Sequence, residues 1–308
     1  MIRLDARQPM PEALRGAVIA LGNFDGFHLG HQAVVGEAVA WARSEGRPAI
    51  VATFDPHPIR HFRPDAPPFR LTTLDQRQEL FAAAGADAML VFTFDSDFAA
   101  TTADGFVAML HGHLGASGAV TGVDFTFGKD RVGNRVLMSE RGKAMGLETR
   151  AVGPVEESGA IVSSSRIRDA LKAGDCETAA RLMTRPFAVR GIVQHGDKLG
   201  RTIDFPTANL DMGTYLRPRY GIYAVTGRLP GGRVVKGAAN MGIRPTFDPP
   251  KELLEPFFFD FAEDLYGQEI EVAFHHFLRP EAKFDGLDAL VAQMKLDCDE
   301  ARRLLADL

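Results

Sequence analysis

The chain has 308 residues, a formal net charge of −5 and a pI of about 6.0. That balance excludes a broad nucleic-acid footprint and a polybasic membrane surface, and leaves room only for a local basic pocket. With 45% hydrophobic and 24% charged residues, the composition is that of an ordinary globular protein long enough for two domains.

The N-terminal segment Met1-Ile2-Arg3-Leu4-Asp5 has no apolar signal core, and no apolar run in the chain is long enough to span a bilayer. A cytoplasmic protein is expected. Residues 18–24 read as a buried strand, followed by a glycine-rich turn and an apolar-periodic helix over 31–43. The turn is Gly22-Asn23-Phe24-Asp25-Gly26-Phe27-His28-Leu29-Gly30-His31. A helix N-terminus presents unpaired N–H groups and the positive end of the helix dipole, which together favour an anion. Glycine at 22, 26 and 30 allows close backbone approach. His28 and His31, three residues apart, face the same way and suit donation to a phosphate as charge builds on it. The plainer reading is a pair of histidines that caps a helix.

Next come a strand at 49–54, a proline loop Asp55-Pro56-His57-Pro58, a helix at 74–84, a strand at 88–92, a helix at 102–114 and a strand at 119–124. Such alternation implies a parallel sheet with right-handed crossovers, whose ligands bind beyond the strand carboxyl ends. The histidine turn, the His57 loop and the segment from Asp124 to Gly128 all follow strands, so they are expected on one edge. His57 and Asp25 each read either as turn residues or as polar contacts to a ligand. At Val162-Ser163-Ser164-Ser165-Arg166-Ile167-Arg168 a serine cluster opens a helix over 165–172. It reads either as simple capping with two solvent-facing arginines or as a second anion site.

A further helix is expected at 176–183. Cys176 and Cys298 show no metal-ligand or redox spacing and read as two free thiols in a reducing compartment. From 187 to 277 the pattern changes to short period-2 runs separated by Gly and Pro turns, such as Leu229-Pro230-Gly231-Gly232. That is the pattern of an antiparallel barrel or sandwich. A helix beginning near Leu287, with Asp285 as its N-cap, closes the chain. In Phe205-Pro206-Thr207-Ala208-Asn209-Leu210, Thr207 and Asn209 point to one face of an extended segment. A hydroxyl and an amide oxygen side by side suit a hard cation such as Mg²⁺. A turn with incidental polar residues is the alternative.

These motifs together resemble known enzymes. Gly22-Asn23-Phe24-Asp25-Gly26-Phe27-His28-Leu29-Gly30-His31 is similar to the His-x-Gly-His motif of the nucleotidyltransferase superfamily, and Val162-Ser163-Ser164-Ser165-Arg166-Ile167-Arg168 to its second motif. Asp124-Phe125-Thr126-Phe127-Gly128-Lys129 narrows this to the FMN adenylyltransferase branch. Pro206-Thr207-Ala208-Asn209 resembles the signature of the riboflavin kinase family. So do Asn240-Met241-Gly242-Ile243-Arg244-Pro245-Thr246-Phe247, Asp264-Leu265-Tyr266-Gly267 and Phe277-Leu278-Arg279-Pro280-Glu281. In order and over nearly the whole chain, the set resembles the bifunctional riboflavin kinase/FMN adenylyltransferase, or bacterial FAD synthetase, family.

The resemblance implies a Rossmann-like α/β nucleotidyltransferase domain over 1–184, and an antiparallel β-barrel kinase domain with a closing helix over 185–308. Riboflavin is phosphorylated to FMN with ATP, and FMN is then adenylylated to FAD with release of pyrophosphate. On that template His28, His31, Arg168 and Glu255 are catalytic. Gly22, Asn23, Gly30, Ser164, Ser165, Gly196, Lys198, Gly200 and Arg201 bind ATP. Asp124, Phe125 and Arg279 line the flavin sites, and Thr207 and Asn209 hold Mg²⁺. Partners are riboflavin, FMN and ATP, with no nucleic acid and no membrane; a weak homo-oligomer is left open.

Three departures from the family pattern stand out. Asp124 replaces a common Asn, Asp204 replaces a Gly before Phe-Pro-Thr, and Pro256 follows the kinase base. Pro256 requires an edge or irregular strand, and Glu252 is the alternative base if the register slips. The sequence has no Gly-x-x-x-x-Gly-Lys-Ser/Thr motif, so a P-loop kinase is excluded. The alternatives are a monofunctional adenylyltransferase whose kinase half only binds flavin, and a non-catalytic flavin- or nucleotide-binding regulator.

Overall fold

The computed structural model describes residues 1–195, 205–244 and 251–308, without the side chains of 244 and 251. By internal contacts it divides into two units. One comprises Met1–Pro67 and Thr73–Ser163, the other Pro68–Thr72 and Ser164–Leu308.

The first unit contains β1 (Ile2–Asp5), β2 (Val18–Leu21), α1 (Leu29–Ser44), β3 (Ala49–Asp55), α2 (Pro58–Phe62), α3 (Leu74–Ala83) and β4 (Ala88–Thr93). It continues with α4 (Ser96–Ala99), α5 (Ala103–Ala108), β5 (Gly118–Gly122), α6 (Arg135–Met145), β6 (Glu148–Val152) and a small hairpin of β7 (Glu156–Glu157) and β8 (Ala160–Ile161). Its six-stranded sheet runs β1-β4-β3-β2-β5-β6 with every neighbouring pair parallel. The central strands β2 and β3 are buried on both faces, as their unbroken apolar runs require. After β4 the chain crosses to the other side of β2, so the strand order switches direction between β2 and β5. Ligands of such sheets bind at this switch.

Several expected elements need correction. The strand at 18–24 ends at Leu21, because the backbone turns there into the glycine loop. The proline loop becomes a helix at once, with Pro58 at its start and the His57 ring accepting from the Ile59 N–H at 3.2 Å. The helix at 102–114 changes pitch: after Ala108 it continues as a π-turn over Met109–His113. β1, α6 and β6 were not expected.

The second unit begins with α7 (Ser164–Ala173) and α8 (Cys176–Met183). β9 (Phe187–Ile192), β10 (Leu210–Asp211), β11 (Gly221–Arg228), β12 (Val234–Arg244), β13 (Lys251–Phe258) and β14 (Glu269–Arg279) follow, then α9 (Leu287–Leu304). The strands form one antiparallel sheet, β10-β13-β12-β11-β14-β9. Its two ends approach through the Gln194–Asn209 bridge, where the Gln194 N–H donates to the Asn209 carbonyl at 2.8 Å, giving a nearly closed barrel. The Leu229-Pro230-Gly231-Gly232 segment forms the β11–β12 turn, with Gly231 and Gly232 at φ 80° and 88°. α9 packs on β11, β12 and β14. Its N-cap is Gly286, which has no capping side chain, so Asp285 does not cap it.

His275 on β14 is held neutral: burial pushes its pKa down to about 4, the neighbouring His276 adds to this, and its Nε2 lies 2.9 Å from the Thr226 hydroxyl. An unfolded histidine takes up a proton near pH 6.5. Between pH 6.5 and 4 the unfolded chain therefore binds more protons than the folded one, and stability falls as pH falls. Thermal unfolding at pH 7 and pH 5 is expected to show a drop in midpoint that His275→Gln makes smaller.

Candidate active sites

In the first unit, the loop after β2 is built from the core outward. Phe24 and Phe27 are buried and meet Phe81 of α3 edge-on, at ring distances of 5.7 and 5.2 Å. These anchors hold both residues in left-handed backbone, at φ 51° and 41°. For residues other than glycine such conformations cost of order 1–3 kcal/mol each and survive only where the surroundings fix them. Gly26, at φ 84°, completes the reversal without that cost.

His28 is the N-cap of α1, its Nδ1 accepting from the His31 N–H at 3.4 Å. A nitrogen that accepts carries no proton, so the neutral ring bears its proton on Nε2. The two imidazoles stack at 3.6 Å with an interplanar angle of 19°, and the Phe24 ring meets His31 edge-on at 5.3 Å. A Cβ on residue 30 would lie 3.2 Å from His28 Cε1, so glycine there keeps room for the capping ring. The capping reading holds, and the cap with the stacking sets the rings' orientation.

All strands of this sheet run the same way. The loops after β2, β3 and β5, which carry His28, His57 and Asp124, therefore lie on its carboxyl edge, on three neighbouring strands. Asp124 is exposed, and Phe125 is half-buried and stacked on Phe127 at 5.8 Å. Asp25 is 3% exposed. The Oδ1 of Asn23 is buried without a hydrogen-bond partner among the described residues.

Sequence reasoning missed two buried polar residues that bond this loop. Arg77 of α3 and Thr53 of β3 are 2% and 0% exposed, and both bond the Asn23 carbonyl. The run Leu74-Asp75-Gln76-Arg77 reads as a polar helix surface, so it gave no signal.

Ser164, Ser165 and Arg168 lie on α7, whose buried face carries Ile167 and Leu171. Arg166 and Arg168 are half-buried rather than solvent-facing. The Arg168 Nε–H donates to the Phe69 carbonyl at 2.9 Å, and its guanidinium covers the Phe69 ring at 5.3 Å.

In the barrel, strand register assembles a second group. Glu255 of β13 stands directly opposite Asn240 of β12, and the Asn240 Nδ2–H donates to Glu255 Oε2 at 3.5 Å. On the other side Leu210 pairs with Leu254, and the Ala208 N–H donates to the Pro256 carbonyl at 2.9 Å. Continuing that register sets Asn209 opposite Glu255. Directly opposed residues of antiparallel strands project to the same face. Asn209, Glu255 and Asn240 thus form one row, with Asn209 buried, Thr207 half-buried, and Asn240 Oδ1 buried without a partner among the described residues.

Pro256 is tolerated because its missing donor faces the 207–208 segment, beyond the two-residue ladder of β10. The pairing of Glu255 with β12 is untouched. Glu252 lies an odd number of residues from Glu255, hence on the opposite face. There Arg217 Nε–H donates to it at 2.7 Å and the Tyr220 hydroxyl donates to its other oxygen. Burial raises its pKa, but the bonds from Tyr220 and Arg217 and the arginine charge outweigh this and hold it below the ordinary carboxylate range. A carboxylate so committed is a poor base.

Arg279 is engaged with α9: Nε and Nη2 donate to Asp297 at 2.8 and 2.7 Å, and Nη1 to the Pro280 carbonyl at 3.0 Å. Gly196, Lys198, Gly200, Arg201 and Asp204 lie outside the described residues, as do Pro245, Thr246 and Phe247.

Two family models match separate parts of the chain. Residues 10–166 match the family model described as FAD synthetase, and residues 183–305 that described as riboflavin kinase. The bifunctional riboflavin kinase/FMN adenylyltransferase of Escherichia coli K12 is 38% identical over 283 residues, covering 92% of this chain and 90% of the relative. The protein of the same name from Bacillus subtilis is 38% identical over 299 residues, covering 95% and 93%. A solved structure described as a macrolide-efflux protein from Streptococcus pneumoniae superposes with a TM-score of 0.87 at 32% identity, over 98% of this chain and 99% of that one. Among the described residues no helix is long and apolar enough to cross a membrane.

Proposed function

Because the chain belongs to the bifunctional riboflavin kinase/FMN adenylyltransferase family, we propose that residues 1–184 carry adenylyl transfer and residues 185–308 carry riboflavin phosphorylation. The enzyme phosphorylates riboflavin to FMN with ATP and adenylylates FMN to FAD with a second ATP. The observation that carries the residue assignment is the row Asn209–Glu255–Asn240, which joins three separate sequence motifs across three strands.

In the kinase step, Glu255 takes the proton of the terminal ribityl hydroxyl of riboflavin as that oxygen attacks the γ-phosphorus, and ADP leaves. A primary hydroxyl is a weak nucleophile, which is why a positioned carboxylate helps. Asn240 steers the carboxylate from the neighbouring strand. Gly196, Lys198, Gly200 and Arg201 serve the ATP phosphates. Arg279, oriented by its bonds to Asp297, lines the flavin side.

In the adenylyl step, an FMN phosphate oxygen attacks the α-phosphorus of ATP and pyrophosphate leaves, so no protein nucleophile is required. His28 and His31 donate to the phosphates, Gly22, Asn23 and Gly30 shape the loop beneath them, and Ser164, Ser165 and Arg168 hold the triphosphate. Asp124 and Phe125 face the flavin.

The kinase donor set fits Mg²⁺: a threonine hydroxyl and an asparagine amide oxygen on one face, leaving further positions to phosphate and water. The ion neutralises phosphate charge when bound. Thr207 and Asn209 are the residues that would hold it. Buried Cys176 and half-buried Cys298, both free thiols, fit a cytoplasmic enzyme.

Incubating the full chain with riboflavin, ATP and Mg²⁺ tests the reading. FMN is expected first and FAD second, and excess EDTA is expected to stop FMN formation. Pyrophosphate and FAD from supplied FMN, with riboflavin never phosphorylated, would favour the monofunctional alternative. No turnover of either flavin would favour the regulator.

A further inference from the structure

We infer that Arg77 and Thr53 are positioning residues for adenylyl transfer, acting through the Asn23–Phe24 peptide of the histidine loop. Arg77 Nη1 donates to the Asn23 carbonyl at 3.0 Å and to the Thr53 hydroxyl at 2.6 Å, and its Nε reaches the Thr73 carbonyl at 3.4 Å. The Thr53 hydroxyl in turn donates to the same Asn23 carbonyl at 2.8 Å. One peptide oxygen, at the mouth of β2, thus accepts from a buried cation and from a buried hydroxyl that the cation itself bonds.

Two consequences follow for the loop. The first is direction. The Asn23–Phe24 peptide is trans, so its N–H points opposite to its carbonyl, away from Arg77 and Thr53. That N–H donates to no described residue, although Phe24 is 1% exposed. The second is strength. Hydrogen bonds to a carbonyl polarise the whole peptide group, and the N–H of that group becomes a better donor. The charge behind it is always present, because arginine does not lose its proton in a protein. The loop thereby offers an oriented, polarised donor from a residue whose left-handed backbone the same clamp helps to hold. Such a donor stabilises an anion without reorganising as the reaction proceeds.

The inference rests on assigning adenylyl transfer to the His28 and His31 loop. The kinase activity of the same chain is an internal standard for folded protein. Thr53→Val keeps the side-chain shape and removes the hydroxyl. It is expected to lower kcat for FAD formation from FMN by about tenfold, relative to riboflavin phosphorylation by the same preparation, since preorganised donors act on the transition state. The KM for FMN should stay within twofold of wild type, and Thr53→Ser should restore kcat. Arg77→Met is expected to lose more than Arg77→Lys by the same ratio. A Thr53→Val enzyme whose kcat ratio matches wild type overturns the inference, as does a parallel loss of both activities. If wild-type protein itself forms no FAD from FMN and ATP, the assignment of the loop has failed and not this inference.

Discussion

Glu255→Ala is expected to lower riboflavin phosphorylation at least a hundredfold while leaving the conversion of supplied FMN to FAD unchanged. The size follows from the chemistry: a positioned general base contributes roughly 10²–10⁴-fold, and the ribityl hydroxyl is too weakly acidic to attack without one. Selectivity follows from the fold. Glu255 belongs to the barrel sheet between β10 and β12, whereas His28 and His31 sit at the carboxyl edge of the parallel sheet. Glu252 does not substitute for it, because it projects to the opposite face and is held by Arg217 and Tyr220. Flavin products from riboflavin and from FMN, separated chromatographically, measure both halves of the prediction.

His31→Ala is expected to cut FAD formation a hundredfold or more while FMN accumulates from riboflavin. Losing one preorganised donor to a developing phosphate charge costs about 10²–10³ in kcat. Here the substitution also removes the ring that stacks on His28 at 3.6 Å, freeing the capping imidazole from its fixed orientation. The cap bond itself survives, because it uses the His31 main-chain N–H. The helix should therefore remain, and the loss should appear in catalysis rather than in folding. Circular dichroism and the retained kinase rate separate the two.

Much of the fold is legible in the sequence. The apolar runs of β2 and β3, the glycine loop and the start of α1 announced a strand-turn-helix unit, and the structure has one. What stayed hidden has physical causes. β1 and β6 are the two edge strands of the parallel sheet, short and mostly exposed, so neither carries the apolar pattern that marks a buried strand. α6 buries only Met138 and Gly142, and its signals were the Asn134 cap and the left-handed Gly146 at its end.

The sites divide the same way. Thr207 and Asn209 could be paired from the sequence because local spacing alone would set a common face. Asn240 stood in a recognised motif but had no role, because its place beside Glu255 depends on a pairing between strands that only the register supplies. Pro256 looked like a fault in a strand and proves to sit where the ladder to β10 has ended. Arg77 was invisible because a buried arginine and a surface arginine look alike in a polar helix.

The most direct test of two separate stations on one chain is complementation. His31→Ala and Glu255→Ala proteins, each alone with riboflavin, ATP and Mg²⁺, are expected to yield FAD at no more than about a hundredth of the wild-type rate. Mixed, they are expected to exceed that rate, the first supplying FMN and the second adenylylating it. A mixture that forms FAD no faster than either variant alone, or a single variant that loses both activities with its fold intact, would contradict the account.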